Sequence, residues 1–252
     1  MSEIVAISLV KNEIDILPQI INHMQSQGIS KFLIADNMSS DGTWEFLQEL
    51  DKETFCVIKD EDPAHHQSKK INALMQKASK KIGTDFMVFP FDADEMFYSL
   101  DASKTLAETL KTMDSSIASA TVYDFIPQPS DQQTGNPLND ITHKLPYVQA
   151  LPSVAFKYHE SAVIAEGNHS VSYQNGTINN NVIAVRHYQY RNFEHYVRKL
   201  REGAKALEKT GYDSGIGAHW HAGAAKSDEE LLASWNAMIS QPLIYEPLPE
   251  QM

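Results

Sequence analysis

The stretch Phe89-Pro90-Phe91-Asp92-Ala93-Asp94-Glu95 carries an apolar strand directly into three carboxylates. Side chains at i and i+2 of a strand share a face, so Asp92 and Asp94 can converge on one object while Ala93 points away. Two carboxylates at such short range repel each other unless they are solvated, protonated or bridged by a metal. All-oxygen ligation favours Mg²⁺ or Mn²⁺ over zinc. A plain acidic turn at the end of a strand is the alternative for so short a motif.

Upstream of this stretch, apolar β-rich runs alternate with helical patterns. Strand-like segments fall at about residues 3–10, 31–36, 55–59 and 85–91. Apolar side chains recur at helical spacing over residues 68–82. These β-α repeats predict an α/β fold with a mostly parallel central sheet flanked by helices, Rossmann-like in its N-terminal half. Such sheets bind ligands at the carboxyl ends of their strands, and Asp36 and Asp92 both follow predicted strands.

The second half of the chain has a looser pattern. Residues 127–146 hold several prolines among polar residues and predict a long loop, a feature typical of lids and binding loops. The other predicted elements are a helix near 103–113, strands near 116–124, 153–157, 161–165 and 182–187, and helices over about 192–209 and 228–239. Ser227 and Glu230 form a capping box at the start of the last helix.

Composition limits the classes of protein to consider. With 252 residues, 42% of them apolar, the chain can bury a sizeable core. A formal net charge of −12 argues against nucleic acid as the main partner. No apolar run approaches the ~20 residues of a membrane span, and the first residues do not resemble a signal peptide. The lone Cys56 excludes an internal disulfide framework. We therefore expect a cytoplasmic protein with no transmembrane segment.

Two further polar segments follow predicted strands. Lys11-Asn12-Glu13 comes after the first strand, and Asp36-Asn37-Met38-Ser39-Ser40-Asp41-Gly42-Thr43 comes after the second. Ser40 or Asp41 is expected to cap the next helix, and Gly42 permits a close backbone approach. Together with the acidic run, these segments place polar groups at successive strand ends, which predicts a single ligand crevice.

As a set, these motifs resemble the signature of family 2-type glycosyltransferases of the GT-A fold. More specifically, they resemble a bacterial branch with an Asp-x-Asp-Glu motif that is associated with cell-surface polysaccharide or lipopolysaccharide assembly. The segment Val185-Arg186-His187-Tyr188 and the helix after it are similar to the terminal histidine and helix of that branch.

The resemblance implies a metal-dependent enzyme that moves a sugar from a nucleotide-sugar donor to a carbohydrate or glycolipid acceptor, with Mn²⁺ or Mg²⁺ as cofactor. Asp94 would bind the metal, Asp92 would serve the ribose or the metal, and His187 is the candidate third ligand. Asp36 would contact the base or ribose. The other donor-binding candidates are Lys11, Asn12, Glu13, Asn37 and Asp41. The resemblance also implies one GT-A-like domain over residues 1–252. It would comprise a nucleotide-sugar-binding half (1–100), an acceptor half (101–225) and a C-terminal helix and tail (226–252).

The catalytic base is where the sequence departs from the family pattern. Inverting family 2 enzymes carry an acidic pair at the start of a helix in the acceptor half, and this chain has no clean Glu-Asp there. Asp124, Glu160 and Glu166 are candidates, and Glu95 either contacts the acceptor sugar or braces its loop. A base must lie within hydrogen-bonding reach of the acceptor hydroxyl, and sequence gives no such distance.

Three other functions are compatible with part of this pattern. A nucleotidyltransferase of similar fold would use paired carboxylates, but it would carry a glycine-rich basic loop after the first strand, where this chain has Lys11-Asn12-Glu13. A non-catalytic carbohydrate-binding protein would have no need of the whole acidic set. An Asp-nucleophile phosphatase fits less well, because the acidic run follows the fourth strand. Sequence leaves open the donor base and sugar, the acceptor, the stereochemical outcome and the oligomeric state.

Overall fold

A computed structural model describes residues 3–211 and 216–248. The chain forms two compact units, each built from discontinuous segments. The first unit comprises Met1–Glu61, Gln67–Tyr123 and Val148–His187, and the second comprises Asp62–His66, Asp124–Tyr147 and Tyr188–Met252. The predicted division at residues 100 and 225 stays a prediction. Within the described ranges, no helix combines the length and apolar character that crossing a bilayer requires.

The elements follow the predicted alternation of strands and helices. In chain order they are β1 (Glu3–Val10), α1 (Leu17–Ser26), β2 (Lys31–Asp36), α2 (Thr43–Glu49), β3 (Phe55–Lys59), α3 (Gln67–Ile82), β4 (Phe86–Pro90), β5 (Glu95–Ser99), α4 (Leu106–Thr112), β6 (Ile117–Asp124), α5 (Pro137–Asp140), β7 (His143–Lys144), β8 (Ser153–Lys157), β9 (Val163–Ile164), β10 (Val171–Ser172), β11 (Ile178–Asn179), β12 (Ile183–His187), α6 (Phe193–Glu208), α7 (Ala218–Ala224), α8 (Asp228–Ile239) and β13 (Ile244–Tyr245). A short 3-10 helix, Glu166–Asn168, lies between β9 and β10.

The first unit is built on one large sheet with the strand order β3-β2-β1-β4-β8-β6-β12-β5, and β11 pairs with β6. β3, β2, β1 and β4 run parallel, as expected for β-α repeats. β8 then runs antiparallel to both β4 and β6, and β12 runs antiparallel to β5. The α/β class with a parallel N-terminal sheet flanked by helices is thereby confirmed, and it is consistent with the GT-A fold.

Burial explains the order of these elements. All five residues of β4 are buried, because this strand lies inside the sheet between β1 and β8. The apolar face of α3, formed by Ile71, Leu74, Met75 and Ala78, packs into the core that includes β1 residues. Its lysines lie on other faces of the helix. The amphipathic pattern of residues 68–82 therefore predicts both this helix and the side that it buries.

The second unit contains α6, α7 and α8 and the short β7–β13 pair. Its aromatic core joins the start of α6 to α8; the residues are Tyr190, Tyr196, Leu200, Leu231 and Trp235. The capping box of Ser227 and Glu230 is present at the start of α8, which confirms that prediction. The glycine-flanked stretch around Trp220 forms α7, a helix that the sequence pattern did not indicate.

Two local expectations were incomplete. The acidic run leads after one turn into β5, a strand that was not predicted because only five residues separate the turn from polar Asp101. The N-cap of α2 is Gly42, at φ 101°, and not Ser40 or Asp41. The Asp41 carboxylate still accepts the N–H of Thr43, at 3.0 Å, so it binds the first turn from one residue further back.

Candidate active site

The loops after β1 and β2 are joined by hydrogen bonds between side chains and backbone. The Asn12 N–H donates to Ser39 Oγ at 2.9 Å, and the Ser40 N–H donates to Asn12 Oδ1 at 2.8 Å. The Glu13 N–H donates to Thr43 Oγ1 at 2.9 Å. In the parallel register Val10 lies opposite Asp36, so both loops leave the same edge of the sheet. The structure therefore brings these two predicted motifs together.

Asp41 is held inside this loop pair. Its Oδ2 accepts the N–H of Ile14 at 3.1 Å, and its Oδ1 accepts the Thr43 hydroxyl at 2.6 Å. Burial acts to raise the pKa of Asp41, but the hydrogen bonds from Thr43 and Ile14 together hold it below its usual value. These contacts shape the loop, and direct nucleotide binding by Asp41 stays a prediction, as it does for half-buried Lys11 and Glu13.

Asp36, at the end of β2, is 0% exposed. Its Oδ2 accepts the N–H of Ser39 at 3.1 Å. Its Oδ1 has no hydrogen-bond partner among residues 3–211 and 216–248. A buried acceptor without a donor costs about 1–3 kcal/mol. An N–H or O–H of a ligand that donates to this oxygen would remove that cost. Asp36 is therefore placed to accept a hydrogen bond, as expected for a residue that contacts a base or ribose.

Beside Asp36, Asn37 takes part in a network that the sequence reading missed. Its Nδ2 donates to Asp60 Oδ2 at 2.8 Å, and Lys70 Nζ lies 2.7 Å from the same oxygen. Asp60 follows β3 as Asp36 follows β2, so its position was a usable signal. Lys70 lies in α3, and its ion-paired side chain is only 12% exposed.

Asp92 connects three segments of the first unit. Its Oδ1 accepts hydrogen bonds from Gln67 Nε2 at 2.8 Å and from Asn168 Nδ2 at 3.0 Å. Gln67 Oε1 in turn accepts the N–H of Gly167 at 3.1 Å. The acidic turn is thus fastened to the start of α3 and to the 3-10 helix. Gln67 and Asn168 carry no sequence signal for this role, because nothing in their local pattern differs from an ordinary helix start or loop.

Asp94 and His187 meet at the carboxyl end of β4. The antiparallel register of β12 and β5 sets His187 opposite Glu95, directly beside Asp94. His187 Nε2 lies 3.8 Å from Asp94 Oδ1, and the Asp94 side chain is 4% exposed. The other ring nitrogen, Nδ1, lies 3.0 Å from Gln149 Nε2. The structure therefore pairs two residues 93 positions apart that were both predicted as metal ligands.

Glu95 is buried and braces the acidic turn. Its Oε1 accepts the Ser153 hydroxyl at 2.5 Å, and its Oε2 accepts the N–H of Asp92 at 3.2 Å. Burial raises the pKa of Glu95; the neighbouring His187 and these two hydrogen bonds act in the opposite direction. Of the two roles considered for Glu95, this geometry favours the bracing one.

The other candidates for the catalytic base are divided between the two units. Glu160 is exposed in the turn after β8, and Glu166 is half-buried in the 3-10 helix of the same unit. Asp124 is the last residue of β6 and is grouped with the second unit, where its backbone carbonyl accepts the N–H of Leu145 at 3.0 Å. Assignment of Asp124 or Glu160 as the base stays a prediction.

The Asp94–His187 pair fits a divalent cation. The 3.8 Å gap is shorter than two metal–ligand bonds of about 2.0–2.2 Å laid end to end. In the part of the chain that the structure describes, no group of three or more His, Cys, Asp or Glu side chains is arranged to hold a metal. Mg²⁺ and Mn²⁺ tolerate few protein ligands, because water and phosphate oxygens complete their shells.

An α/β sheet with a polar edge of this kind is typical of nucleotide-binding enzymes. The family model described as "Glycosyl transferase family 2" matches residues 6–167, which span the four parallel strands, the acidic turn and β8. The chain belongs to this family. The resemblance read from Lys11 to Glu95 is thereby confirmed at the level of the family.

Two solved structures of HddC from Yersinia pseudotuberculosis are also similar to the chain. One is 14% identical over 73% of this chain and 76% of that chain, with a TM-score of 0.33. The other, complexed with GMP-PN, is 13% identical over 73% of each chain, with a TM-score of 0.34. At these values the similarity supports no inference about the chemistry of this chain. No curated protein matches it.

Proposed function

We propose that this protein is a metal-dependent glycosyltransferase that uses a nucleotide-sugar donor. Its acceptor would be a carbohydrate or glycolipid, and its place would be the cytoplasmic assembly of cell-surface polysaccharide or lipopolysaccharide. The observation that carries the proposal is the pair of buried Asp94 and half-buried His187, 3.8 Å apart, in a chain that belongs to glycosyl transferase family 2. The bacterial pathway rests on the motif resemblance alone.

In this proposal each part of the sheet edge has a separate task. Asp36 accepts a hydrogen bond from the base or ribose through Oδ1, which has no partner among the described residues. Asp94 and His187 hold Mn²⁺ or Mg²⁺. Asp92 serves the ribose or the metal, and its Oδ1 also links the acidic turn to α3 and the 3-10 helix. Asn37 contributes to donor binding by donating a hydrogen bond to Asp60, which it holds in position.

Charge development explains why transfer needs such an arrangement. Breaking the bond between sugar and diphosphate leaves a multiply charged group, and the cation, when bound, stabilises that charge. The chain supplies the fixed positions of the ligands. Glu95 maintains the turn that presents Asp94, because its carboxylate accepts the N–H of Asp92 and the hydroxyl of Ser153. The acceptor hydroxyl must lose its proton to a base, for which Asp124 and Glu160 are proposed.

A binding screen tests the proposal directly. Thermal unfolding is followed with a panel of nucleotide sugars, each with and without Mn²⁺, because a ligand that binds the folded state raises its apparent stability. We expect at least one donor to raise the unfolding temperature only when Mn²⁺ is present. The same donor should then be consumed with release of a nucleoside diphosphate when acceptor is added.

The products separate the rival functions. Release of a nucleoside diphosphate indicates glycosyl transfer, whereas formation of pyrophosphate from a nucleoside triphosphate and a sugar phosphate would indicate nucleotidyl transfer and contradict the proposal. Stabilisation by free oligosaccharides alone, without any nucleotide effect, would indicate a carbohydrate-binding protein.

A further inference from the structure

Gln149 lies behind the Asp94–His187 pair, on the far side of the imidazole ring. Its side-chain Nε2 is 3.0 Å from His187 Nδ1. Its backbone is fixed to β6, because its N–H donates to the carbonyl of Val122 at 2.9 Å. The side chain is half-buried. A primary amide offers a donor, its NH₂ group, and an acceptor, its oxygen, at equivalent positions.

The direction of this hydrogen bond determines where the imidazole carries its proton. With the amide nitrogen toward the ring, as it stands in the structure, Nδ1 is the acceptor, and a neutral ring then carries its single hydrogen on Nε2. That hydrogen faces Asp94 Oδ1, 3.8 Å away. In this tautomer Nε2 has no lone pair to offer a metal. A neutral His187 in this tautomer would not bind a cation through Nε2.

Metal binding through Nε2 requires the other tautomer. The hydrogen must then be on Nδ1, and a buried N–H needs an acceptor. Metal-bound histidines nearly always donate their second N–H to an oxygen, and loss of that partner costs about 10–100-fold in metal affinity. Half a turn of the Gln149 amide replaces its NH₂ group with its oxygen at the same position.

We propose that Gln149 is a positioning residue that selects the tautomer of His187. It donates to Nδ1 in the arrangement seen here and accepts from Nδ1–H when His187 binds the cation. This inference rests on the proposed metal-dependent function. It assigns the residue that makes His187 competent as a ligand, and no local motif marks that residue in the sequence.

The tautomer can be observed without any assay of activity. Long-range ¹H–¹⁵N spectra of histidine-labelled protein distinguish the two neutral forms, and Mg²⁺ with inorganic pyrophosphate serves as a diamagnetic probe. We expect His187 to carry its hydrogen on Nε2 in the free protein and on Nδ1 after addition of the probe. In Gln149→Glu, whose side chain only accepts, the hydrogen should be on Nδ1 before any addition. A His187 signal with the same tautomer in all three samples would overturn the proposal.

Affinity provides the second measurement. Mn²⁺ binding in the presence of pyrophosphate is followed by electron paramagnetic resonance for the wild type, Gln149→Met and His187→Ala. Methionine keeps the length of the side chain but cannot accept from Nδ1–H, so we expect Gln149→Met to bind Mn²⁺ about tenfold more weakly. Unchanged affinity in Gln149→Met, with weaker binding in His187→Ala, would overturn the role of Gln149 alone. Unchanged affinity in His187→Ala would instead contradict the proposed metal site.

Discussion

The buried carboxylates at the sheet edge differ in the hydrogen-bond donors that their oxygens have. Glu95 takes both of its hydrogen bonds from the chain, through Ser153 and the Asp92 backbone. Asp36 takes one from Ser39, and its second oxygen has no partner within residues 3–211 and 216–248. Since burial of an unsatisfied acceptor is costly, its persistence is best explained by a ligand. We therefore propose that Glu95 supports the loop and that Asp36 binds the donor.

This assignment predicts the effect of Asp36→Ala. The variant should bind the nucleoside diphosphate of the donor about 5- to 150-fold more weakly, the equivalent of about 1–3 kcal/mol. The free nucleotide should be affected as much as the full donor, because both contain the base and ribose that Asp36 is proposed to contact. Calorimetric titration measures both affinities. Asp114→Ala, at an exposed carboxylate, is the control, and equal nucleotide affinity in all three proteins would remove Asp36 from the site.

Ser153→Ala should destabilise the fold in a pH-dependent way. The pKa of Glu95 is raised by burial, and loss of the Ser153 donor should raise it further. When the pKa of a carboxyl group is higher in the folded state than in the unfolded state, the protein becomes less stable as pH increases through that folded pKa. The loss in Ser153→Ala should thus be small where Glu95 is protonated and grow to about 1–3 kcal/mol above its pKa.

Urea unfolding at a series of pH values, from the ordinary glutamate pKa of about 4.3 upward, measures this difference. Ser8→Ala is the matched control, because buried Ser8 donates at 2.7 Å to the Phe91 carbonyl, which does not titrate. Its cost should be the same at every pH. A parallel pH dependence in the two variants would show that Ser153 does not act through Glu95.

Sequence identified the residues that belong to contiguous motifs. Asp94 was found from the acidic run, and His187 from a short segment that ends a strand. Gln149, Ser153, Gln67 and Asn168 were not found, because each reaches the site from a distant part of the chain. Each hydrogen bonds to a motif residue through the tertiary fold, and no local pattern encodes that.

At the scale of elements, periodicity predicted the N-terminal sheet well. β1, β2 and β4 coincide with the predicted runs because strands inside a sheet are almost continuously apolar. β3 lies at the edge of the sheet and was predicted from its β-branched and aromatic residues. The antiparallel pairing of β12 with β5 could not be predicted, since the sequence pattern did not indicate β5 as a strand after the acidic turn. This one pairing delivers His187 to Asp94. The candidate metal pair is thus a consequence of sheet topology.

Two glycines allow the packing of α1 against α4 to be tested. Gly28, at φ +84°, follows α1, and a Cβ built there would lie 2.9 Å from Ala107 Cβ. Gly83, at φ +86°, ends α3 and has nothing within 4 Å of such a Cβ. Gly83→Ala should cost about 1–2 kcal/mol for the left-handed backbone alone. Gly28→Ala should cost about 1–3 kcal/mol more because of overpacking.

Chemical denaturation of the two variants provides the comparison, and the difference between them isolates the contact with Ala107. Restoring the space with Ala107→Gly should recover part of the loss in Gly28→Ala. Equal destabilisation of Gly28→Ala and Gly83→Ala would show that α4 moves away without cost and that this junction is loosely packed.

At the scale of the whole molecule, charge sets a constraint on the donor. The chain carries a net charge of −12, and its proposed ligand is an anionic diphosphate. Several carboxylates lie at the same sheet edge, so a diphosphate would be repelled unless positive charge is supplied locally. Lys70 is already paired with Asp60. A bound cation resolves this conflict, and for that reason metal dependence is the central claim of the account.

The most direct test of that claim is the Mn²⁺ dependence of donor binding in Asp94→Asn. Asparagine keeps the shape of the side chain but removes the charge, so the unfolding temperature should change little. Calorimetric titration of the screened nucleotide sugar is carried out with and without Mn²⁺ for both proteins. We expect Mn²⁺ to strengthen donor binding by the wild type at least about tenfold and to have no effect on Asp94→Asn. An equal gain from Mn²⁺ in the two proteins would contradict the account.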